Sequence, residues 1–497
     1  MNPDDRFESY LNQRADDIPL RTTPASVIAG RAGHRHRRHR AMALAAVTSV
    51  GAVAVAVVVT SGNDKPQSVA SGQAPAPLRW SVVTPAAGLG FGSSTAAADG
   101  TLYALSTAPG ALGTANDPTL PKPTLYRSTD GSEWSTVALP SDLSASGVAT
   151  AGDALYAVGT APAGGGRAAV LDSTTDGGSS WSRVTLPLDL AALDATGGGP
   201  VIIGAPSVAK GPDGTYVASV SAQASPALAA LLPAGAAGPM ASYAITPDGI
   251  AVYDQCTDSS ASCDVKSSSA PAATTYTWDQ LGVSPAQQRL YRGEVHVFTS
   301  GDGSSFTEQP VAIVGQAPAV FATADGYRLV TTTYETTTGS VQVYRSTDGT
   351  AWTDDASFVG YSSGAGLLAG HLSVIVSNPT GTMTLHTESG SSWTDLDVTG
   401  GAAGQQAFVE SAGFGPLGAV VVVGVSSPSG PVDRQLIVHT TDGSTSTVTD
   451  LATIDPTATG QVNGVEVTAD AVLVRLSEPS NDPNVVPAQH VLVGTPQ

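Results

Sequence analysis

STDGSEW spans Ser128 to Trp134, TTDGGSSW spans Thr174 to Trp181, SGDGSSF spans Ser300 to Phe306, and STDGTAW spans Ser346 to Trp352. Weaker copies follow in TESGSSW, Thr387 to Trp393, and TTDGSTS, Thr440 to Ser446. Self-similarity of this kind marks one supersecondary unit copied around an axis or along a stack, so it sets the architecture of most of the chain. The chemistry of the motif is that of a tight turn. An Asp carboxylate accepts from backbone N–H groups two and three residues on, a Gly adopts positive φ, and an aromatic packs down between strands. The leading Ser or Thr pins the turn from its other side. The bland reading, a rigid corner that binds nothing, is the one adopted.

Around each copy the apolar pattern alternates with the two-residue period of strands. TLYALST (101–107) and ALYAVGT (154–160) precede TLYRS (124–128) and AAVLDS (168–173), and then come the turn and a strand beginning at Trp, WSTVALP (134–140) and WSRVTLP (181–187). The D-G pair supplies the hairpin signal. Abundant Gly (55) and Pro (34), with only 13% charged residues, suit short strands and many turns.

The motif resembles the Asp-box, or BNR, repeat of pattern S/T-x-D-(x)-G-x-x-W/F, found in sialidases, sortilin-type receptors and bacterial photosystem-assembly factors. The resemblance covers about residues 78–497 and implies an all-β chain folded as a β-propeller. The corresponding box residues here are Ser128, Asp130, Gly131 and Trp134; Thr174, Asp176, Gly178 and Trp181; Ser300, Asp302, Gly303 and Phe306; Ser346, Asp348, Gly349 and Trp352; then Trp393 and Asp442. In that family the boxes lie on outer hairpins away from the binding face, so they mark fold and not catalysis.

Spacing counts the units. The boxed positions fall at 130, 176, 302, 348, 389 and 442, mostly 41 to 53 apart, the length of one four-stranded blade. The interval from 176 to 302 is expected to hold one blade carrying an insertion at about 222–290. LRWSVVTP (78–85) resembles the strands that follow a box but has none before it, whereas the C-terminal VEVTADAVLVRLS (465–477) and HVLVGTP (490–496) lack a final strand. Joining the two closes the ring and removes exposed edges. Seven blades result, with eight as the alternative.

Ahead of the repeats, Ala41 to Gly62 carry no charge (AMALAAVTSVGAVAVAVVVTSG) and follow the basic RAGHRHRRHR. About 20 residues at ~1.5 Å each give ~30 Å, enough to cross a bilayer. The basic flank predicts residues 1–40 in the cytoplasm, a transmembrane helix at 41–61, a Pro/Ser/Gly linker at 62–77 and an extracellular domain beyond. The alternative is a cleaved signal peptide, disfavoured by the long leader. No Cys follows the segment, which excludes a lipoprotein anchor. Cys256 and Cys263, outside the membrane, are expected to form a local disulfide, since neither has a His nearby to make a metal site.

Net charge is -20, but residues 1–60 hold eight Lys/Arg and five Asp/Glu and the remainder 14 and 37. An acidic body disfavours nucleic acid as a partner. Four Lys against 18 Arg, with excess Ala, Gly and Val, hint at a GC-rich, actinobacteria-like genome.

A sialidase needs an arginine cluster for the substrate carboxylate, and its early Arg-Ile-Pro signature is absent. Arg127 and Arg345 repeat in YRSTDG, Arg183 trails a box, and Arg167, Arg289, Arg292, Arg328, Arg434 and Arg475 have no motif context. His296, His371, His386, His439 and His490 are dispersed. No catalytic, metal or cofactor residues are singled out. The expectation is therefore a membrane-anchored extracytoplasmic binding or sensor module for an envelope glycan or protein. The alternatives are an anti-sigma-like signalling protein, with Phe7, Tyr10 and Leu11 facing a cytoplasmic partner, and a sialidase-like glycoside hydrolase.

Overall fold

The computed structural model describes residues 75–497, apart from 84–90, 98, 107–121, 132, 164–165, 227, 235, 237–241, 254–273, 334–338, 379–380, 400–405, 427–431, 458–459 and 478–488. The N-terminal segment 1–40, the apolar segment 41–61, most of the linker and the pair Cys256/Cys263 lie outside the described residues. Among those described, no helix is long and apolar enough to cross a membrane.

Among the described residues the chain runs as antiparallel sheets built from strands consecutive in sequence, with two exceptions: one at the ends of the chain and one where a satellite interrupts the third sheet. Seven sheets have as their innermost strands, in order, Phe91–Ala96, Ser144–Ala151, Ser207–Lys210, Gln316–Thr323, Tyr361–Leu368, Gln406–Gly415 and Gln461–Val467. These inner strands approach one another in sequence order, and the last returns to the first. The molecule is a β-propeller.

The core is correspondingly divided among the boundaries between sheets. Tyr103, Leu105 and Leu125 meet Val148 and Val170 between the first and second sheets, and Val158 and Leu171 meet Val220 and Phe298 between the second and third. Further round, Val297 meets Leu329, Val330 meets Leu372, Leu385 meets Val421, and Val422 meets Val474. The seventh boundary, where Leu473 and Val491 meet Ala96 and Leu102, has the smallest buried cluster among the described residues. Strands buried on both faces read as nearly unbroken apolar runs, as in GAVVVVGVS, every residue of which is buried.

Ring closure uses both ends of the sequence. Leu78–Val83 pairs antiparallel with Gln489–Pro496, from Leu78 opposite Pro496 to Val83 opposite Val491, and so becomes the outer strand of the seventh sheet. The Trp80 ring lies over Gly494, where a Cβ would come within 2.8 Å of it. The orphan strand and the incomplete C-terminal unit thus complete each other.

An inner strand has one unpaired edge, and its polar groups need partners. In six sheets the inner strand shifts register near its start, at Phe91/Ser93, Ala145/Gly147, Gln316/Ala319, Ser362/Gly364, Val409/Ser411 and Val462/Gly464. In the third it is broken between Ile203 and Ser207. Neighbouring sheets supply side chains to the edge. The Val148 N–H donates to Ser93 Oγ (3.2 Å), and the Val320 N–H donates to Ser207 Oγ (3.1 Å).

The interval between Asp176 and Asp302 contains one of the seven sheets and a satellite. Between Tyr216–Gln223 and Glu294–Ser300, which pair directly, the chain leaves to form a three-stranded sheet (Ser242–Ile245, Gly249–Tyr253, Thr274–Thr277) and a helix, Pro285–Arg292. Ile250, Val252, Trp278, Leu290 and Tyr291 pack there in one cluster with Val201, Ala222 and Ala224 of the third-sheet region. Ser284 caps the helix in a reciprocal box with Gln287, and Pro285 sits at the first helical position.

Candidate functional site

The repeated turns are built as hydrogen-bonded corners. In the first, Ser128 Oγ accepts from the Gly131 N–H (2.8 Å), Asp130 Oδ1 accepts from the Glu133 N–H (3.0 Å), and Trp134 Nε1 donates to the Gly131 carbonyl (3.0 Å). Ser346, Asp348, Gly349 and Trp352 repeat this arrangement, with 2.9 Å from Gly349 N to Ser346 Oγ and 3.0 Å from Trp352 Nε1 to Gly349 O. Ser300 accepts from Gly303 (2.9 Å) and Asp302 from Ser304 (2.8 Å), while Phe306, which has no donor, is buried. The copy with one extra residue differs. Thr174 accepts from Gly178 (3.0 Å) and Asp176 from Ser180 (2.9 Å), but Trp181 Nε1 donates to Ala138 of the preceding sheet (2.8 Å). In the last copy Thr440 accepts from Gly443 (2.9 Å), and Asp442 accepts from Ser444 (2.8 Å) and Thr445 (2.9 Å).

These bonds favour the ionised carboxylate, so Asp176, Asp302 and Asp348 are held below the usual Asp range, with the neighbouring Ser or Thr donors the main cause. The glycines explain why the corners recur. Gly131, Gly303, Gly349 and Gly443 have φ between +69° and +78°. A Cβ on Gly349 would lie 2.4 Å from Val217, and one on Gly443 would lie 2.2 Å from Thr387, each in the preceding sheet. Each corner therefore rests against its neighbour.

The fifth copy is not such a corner. Ser389 pairs with Ser392 across the two-residue turn Gly390–Ser391, and Gly390 takes φ +65°. Without Asp the turn closes as an ordinary hairpin. Trp393 stands edge-on to Phe358 of the preceding sheet, 5.1 Å between centroids at 80°. Glu388, where intact copies carry Thr or Gly, is turned into the sheet boundary instead. Its Oε1 accepts from Arg328 Nη2 at 2.6 Å, with both side chains no more than 7% exposed.

The arginines expected to lack context all sit in separate ion pairs or polar contacts. Arg183 bridges Asp172 (2.7 Å) and Asp142, and Arg434 binds Asp450 (2.9 Å). Arg289 binds Glu294 (2.7 Å), and Arg167 binds Asp194 (3.4 Å) and the Val201 carbonyl. Arg475 pairs with Glu466, which also takes the Ser94 hydroxyl from the first sheet. These ion pairs are distributed over the second, third, sixth and seventh sheets and the satellite.

A half-buried acid was also invisible in the sequence. Glu410 occupies the register shift of the sixth inner strand, and its Oε2 accepts from Gln435 Nε2 (2.8 Å) and from the Val462 N–H of the seventh sheet (3.2 Å). Burial raises its pKa, opposed by those two hydrogen bonds. Nothing in VESAG distinguishes a bulged Glu from an outward-facing one.

Two shallow surface clefts, each about 290 Å³, lie on the flanks of the ring. One contains His296, whose Nδ1 is 2.7 Å from Glu308. The other contains His386, 2.7 Å from Asp395 and stacked on Phe358 at 4.0 Å. Among the described residues no group of three or more His, Cys, Asp or Glu could hold a metal ion.

The two ends of the ring differ sharply. Connections on the face with the boxed corners never exceed seven residues. On the opposite face the described connections 186–206 and 451–460 are longer, and the chain leaves there to form the satellite. Such connections on a rigid frame are where binding surfaces are usually placed.

No family model matches the chain. No curated protein matches it either. Among solved structures, a protein of unknown function from Dyadobacter fermentans is 14% identical, with 85% of this chain and 99% of that one covered, at a TM-score of 0.38. A xyloglucanase from Xanthomonas campestris is 15% identical (82% of this chain, TM-score 0.40), and the likeness covers 54% of its length. The Aleuria aurantia lectin is 10% identical, with 81% and 90% covered, at a TM-score of 0.33.

Proposed function

We propose that the chain is a membrane-anchored, extracytoplasmic binding module, a propeller of seven Asp-box-type blades that holds an envelope glycan or protein on its loop-bearing face and does no chemistry on it. The carrying observation is the contrast between the two faces: one pared to tight corners, the other bearing the longer described connections and a satellite packed on the third sheet. The distributed arginine pairs support binding over sialidase-like hydrolysis, because no described group of guanidiniums converges on one point. The acidic balance favours an uncharged glycan over a polyanionic wall polymer.

The test is sedimentation of the purified chain with cell-wall glycan stripped of anionic polymers, beside turnover assays on sialosides and other glycans. Cosedimentation without turnover is expected. Hydrolysis would overturn the reading, and absence of glycan binding with saturable binding of an envelope protein would move it to the protein class.

A further inference from the structure

Resting on the binding-module reading, we infer that the cleft between the fourth and fifth sheets is a subsite for one neutral sugar ring of the bound glycan.

The cleft belongs to the loop-bearing rim. Val359 ends the outer strand of the fourth sheet, Thr353–Val359, while Val376 and Thr384 lie at the rim ends of His371–Ser377 and Met383–Ser389 in the fifth. Val376 stands opposite Thr384, and His386 opposite Asp395, so these side chains share one face of the fifth sheet. That face is turned to the fourth sheet, because Val376 packs with Val341 and Val343 there. At the corner end the same boundary is clamped shut by Arg328 and Glu388, 2.6 Å apart. At the rim it opens, leaving about 290 Å³ with an apolar wall of Phe358, Val359 and Val376.

The polar groups set the ligand class. In the cleft at His296 the wall carries the carboxylates of Glu294 and Glu308. Here the lining supplies only uncharged hydroxyls and an amide, from Ser357, Thr384 and Asn378, together with the His386 imidazole. The Asp395 carboxylate, 2.7 Å from His386 Nδ1, is engaged with that ring. A carboxylate only accepts, so it holds the hydrogen on Nδ1 and leaves Nε2, in the neutral ring, as an acceptor. Phe358 stacks on the imidazole at 4.0 Å and meets Trp393 edge-on, so the acceptor is held in place before any ligand arrives. Ser357 Oγ accepts from Gln342 Nε2 (2.8 Å) and keeps its own hydrogen for another partner.

An ionised ligand would lose water here and meet no countercharge among the hydroxyl and amide groups. A pyranose fits both walls: its C–H face suits the apolar side, and its hydroxyls suit the polar one. The volume stands at the lower end of ligand pockets, ~300 Å³, which gives room for one ring and not for a chain.

Saturation-transfer NMR on the full chain tests the subsite, with the methyl glycosides of glucose, galactose, mannose and N-acetylglucosamine and with methyl glucuronoside as an anionic comparator. At least one neutral glycoside is expected to bind, and the glucuronoside to bind about tenfold more weakly or not at all. Val359, 65% exposed, stands at the mouth. Val359→Arg puts a long charged side chain across it and should weaken the neutral sugar about tenfold or more. Val448→Arg, at a 50% exposed position on the outer strand of the sixth sheet, should leave binding unchanged. His386→Phe keeps an aromatic ring against Phe358 but removes the acceptor, and should cost roughly three- to tenfold. The subsite is overturned by binding that survives Val359→Arg, falls equally in both Arg variants or takes the anionic glycoside as well, and by a panel without a binder. Cosedimentation with wall glycan separates this from the wider reading. A chain that sediments but takes no sugar at the cleft loses the subsite alone, whereas one that takes sugar without sedimenting loses the polymer reading alone.

Discussion

Arg328 and Glu388 meet across the boundary between the fourth and fifth sheets, 2.6 Å apart, with side chains 3% and 7% exposed. Asp325, mostly exposed, takes a second contact from the same guanidinium at 3.0 Å. The pair occupies the place where the fifth turn has lost its Asp, so the ionic contact fixes a boundary that a corner otherwise fixes. Removing one partner strands a buried charge. Glu388→Ala is expected to destabilise the chain by about 3 kcal/mol, whereas the double change Arg328→Met with Glu388→Leu should be nearly neutral. Denaturant melts of the two variants decide it: equal losses would mean the charge is not desolvated in the way the geometry indicates.

Gly349 and Gly370 both adopt positive φ, +78° and +83°. Only Gly349 faces its neighbour, with a Cβ position 2.4 Å from Val217, whereas Gly370 opens onto space. Gly370→Ala should cost about 1 kcal/mol from backbone strain alone, and Gly349→Ala about 2–3 kcal/mol as the corner is pushed off the third sheet. Comparable midpoints in urea would show that the corners do not bear on the preceding sheet.

Two sets of acids give stability opposite slopes with pH. Asp176, Asp302, Asp348 and Asp442 have folded pKa values below the usual 3.8. Their contribution is present above that value and is lost as pH falls through the depressed one. Glu410 is raised above 4.5 by burial, so its contribution is complete below 4.5 and lost as pH rises through the folded value. His439, pushed below 6.5 by burial, slopes the other way in the overlapping range. The comparison must therefore be between proteins. Glu410→Gln should melt higher than wild type at pH 7, with the gap closing on acidification toward pH 4.5, while Asp302→Asn changes only the acid limb. A constant gap across the range would show that Glu410 is not the group titrating.

Much of the ring was legible because its unit is local. A Ser-x-Asp-Gly corner needs only residues within seven positions, and its hydrogen bonds follow from that spacing alone. The closure of the ring was also readable, since Trp80 stood as a post-corner residue with no corner. What escaped was set by the register between distant strands. Glu388 lies in a decayed copy of the corner, and its partner Arg328 is 60 residues away. Glu410 is drawn half-buried between two sheets because the inner strand gains a residue there, and a bulge leaves no mark in alternation. Trp393 was grouped with the corner tryptophans by spacing, but without the Asp the turn tightens and the ring finds Phe358 instead.

The seam between the ends of the chain is where opening should begin. Its boundary with the first sheet buries the smallest of the inter-sheet clusters, Ala96, Leu102, Leu473 and Val491. The outer strand Leu78–Val83 is held by one partner strand, with Trp80 half-buried over Gly494. Trp80→Ala removes the largest side chain of that strand and should cost about 2 kcal/mol. Opening of a six-residue edge also exposes the unpaired side of Gln489–Pro496, which is a template for association. Amide exchange should accordingly be fastest, among the strands, at residues 78–83 and 490–496, and Trp80→Ala should accelerate exchange there before it affects the buried run at 418–426. If exchange in the variant rises evenly around the ring, the sheets unfold together, and the seam is no weaker than any other boundary.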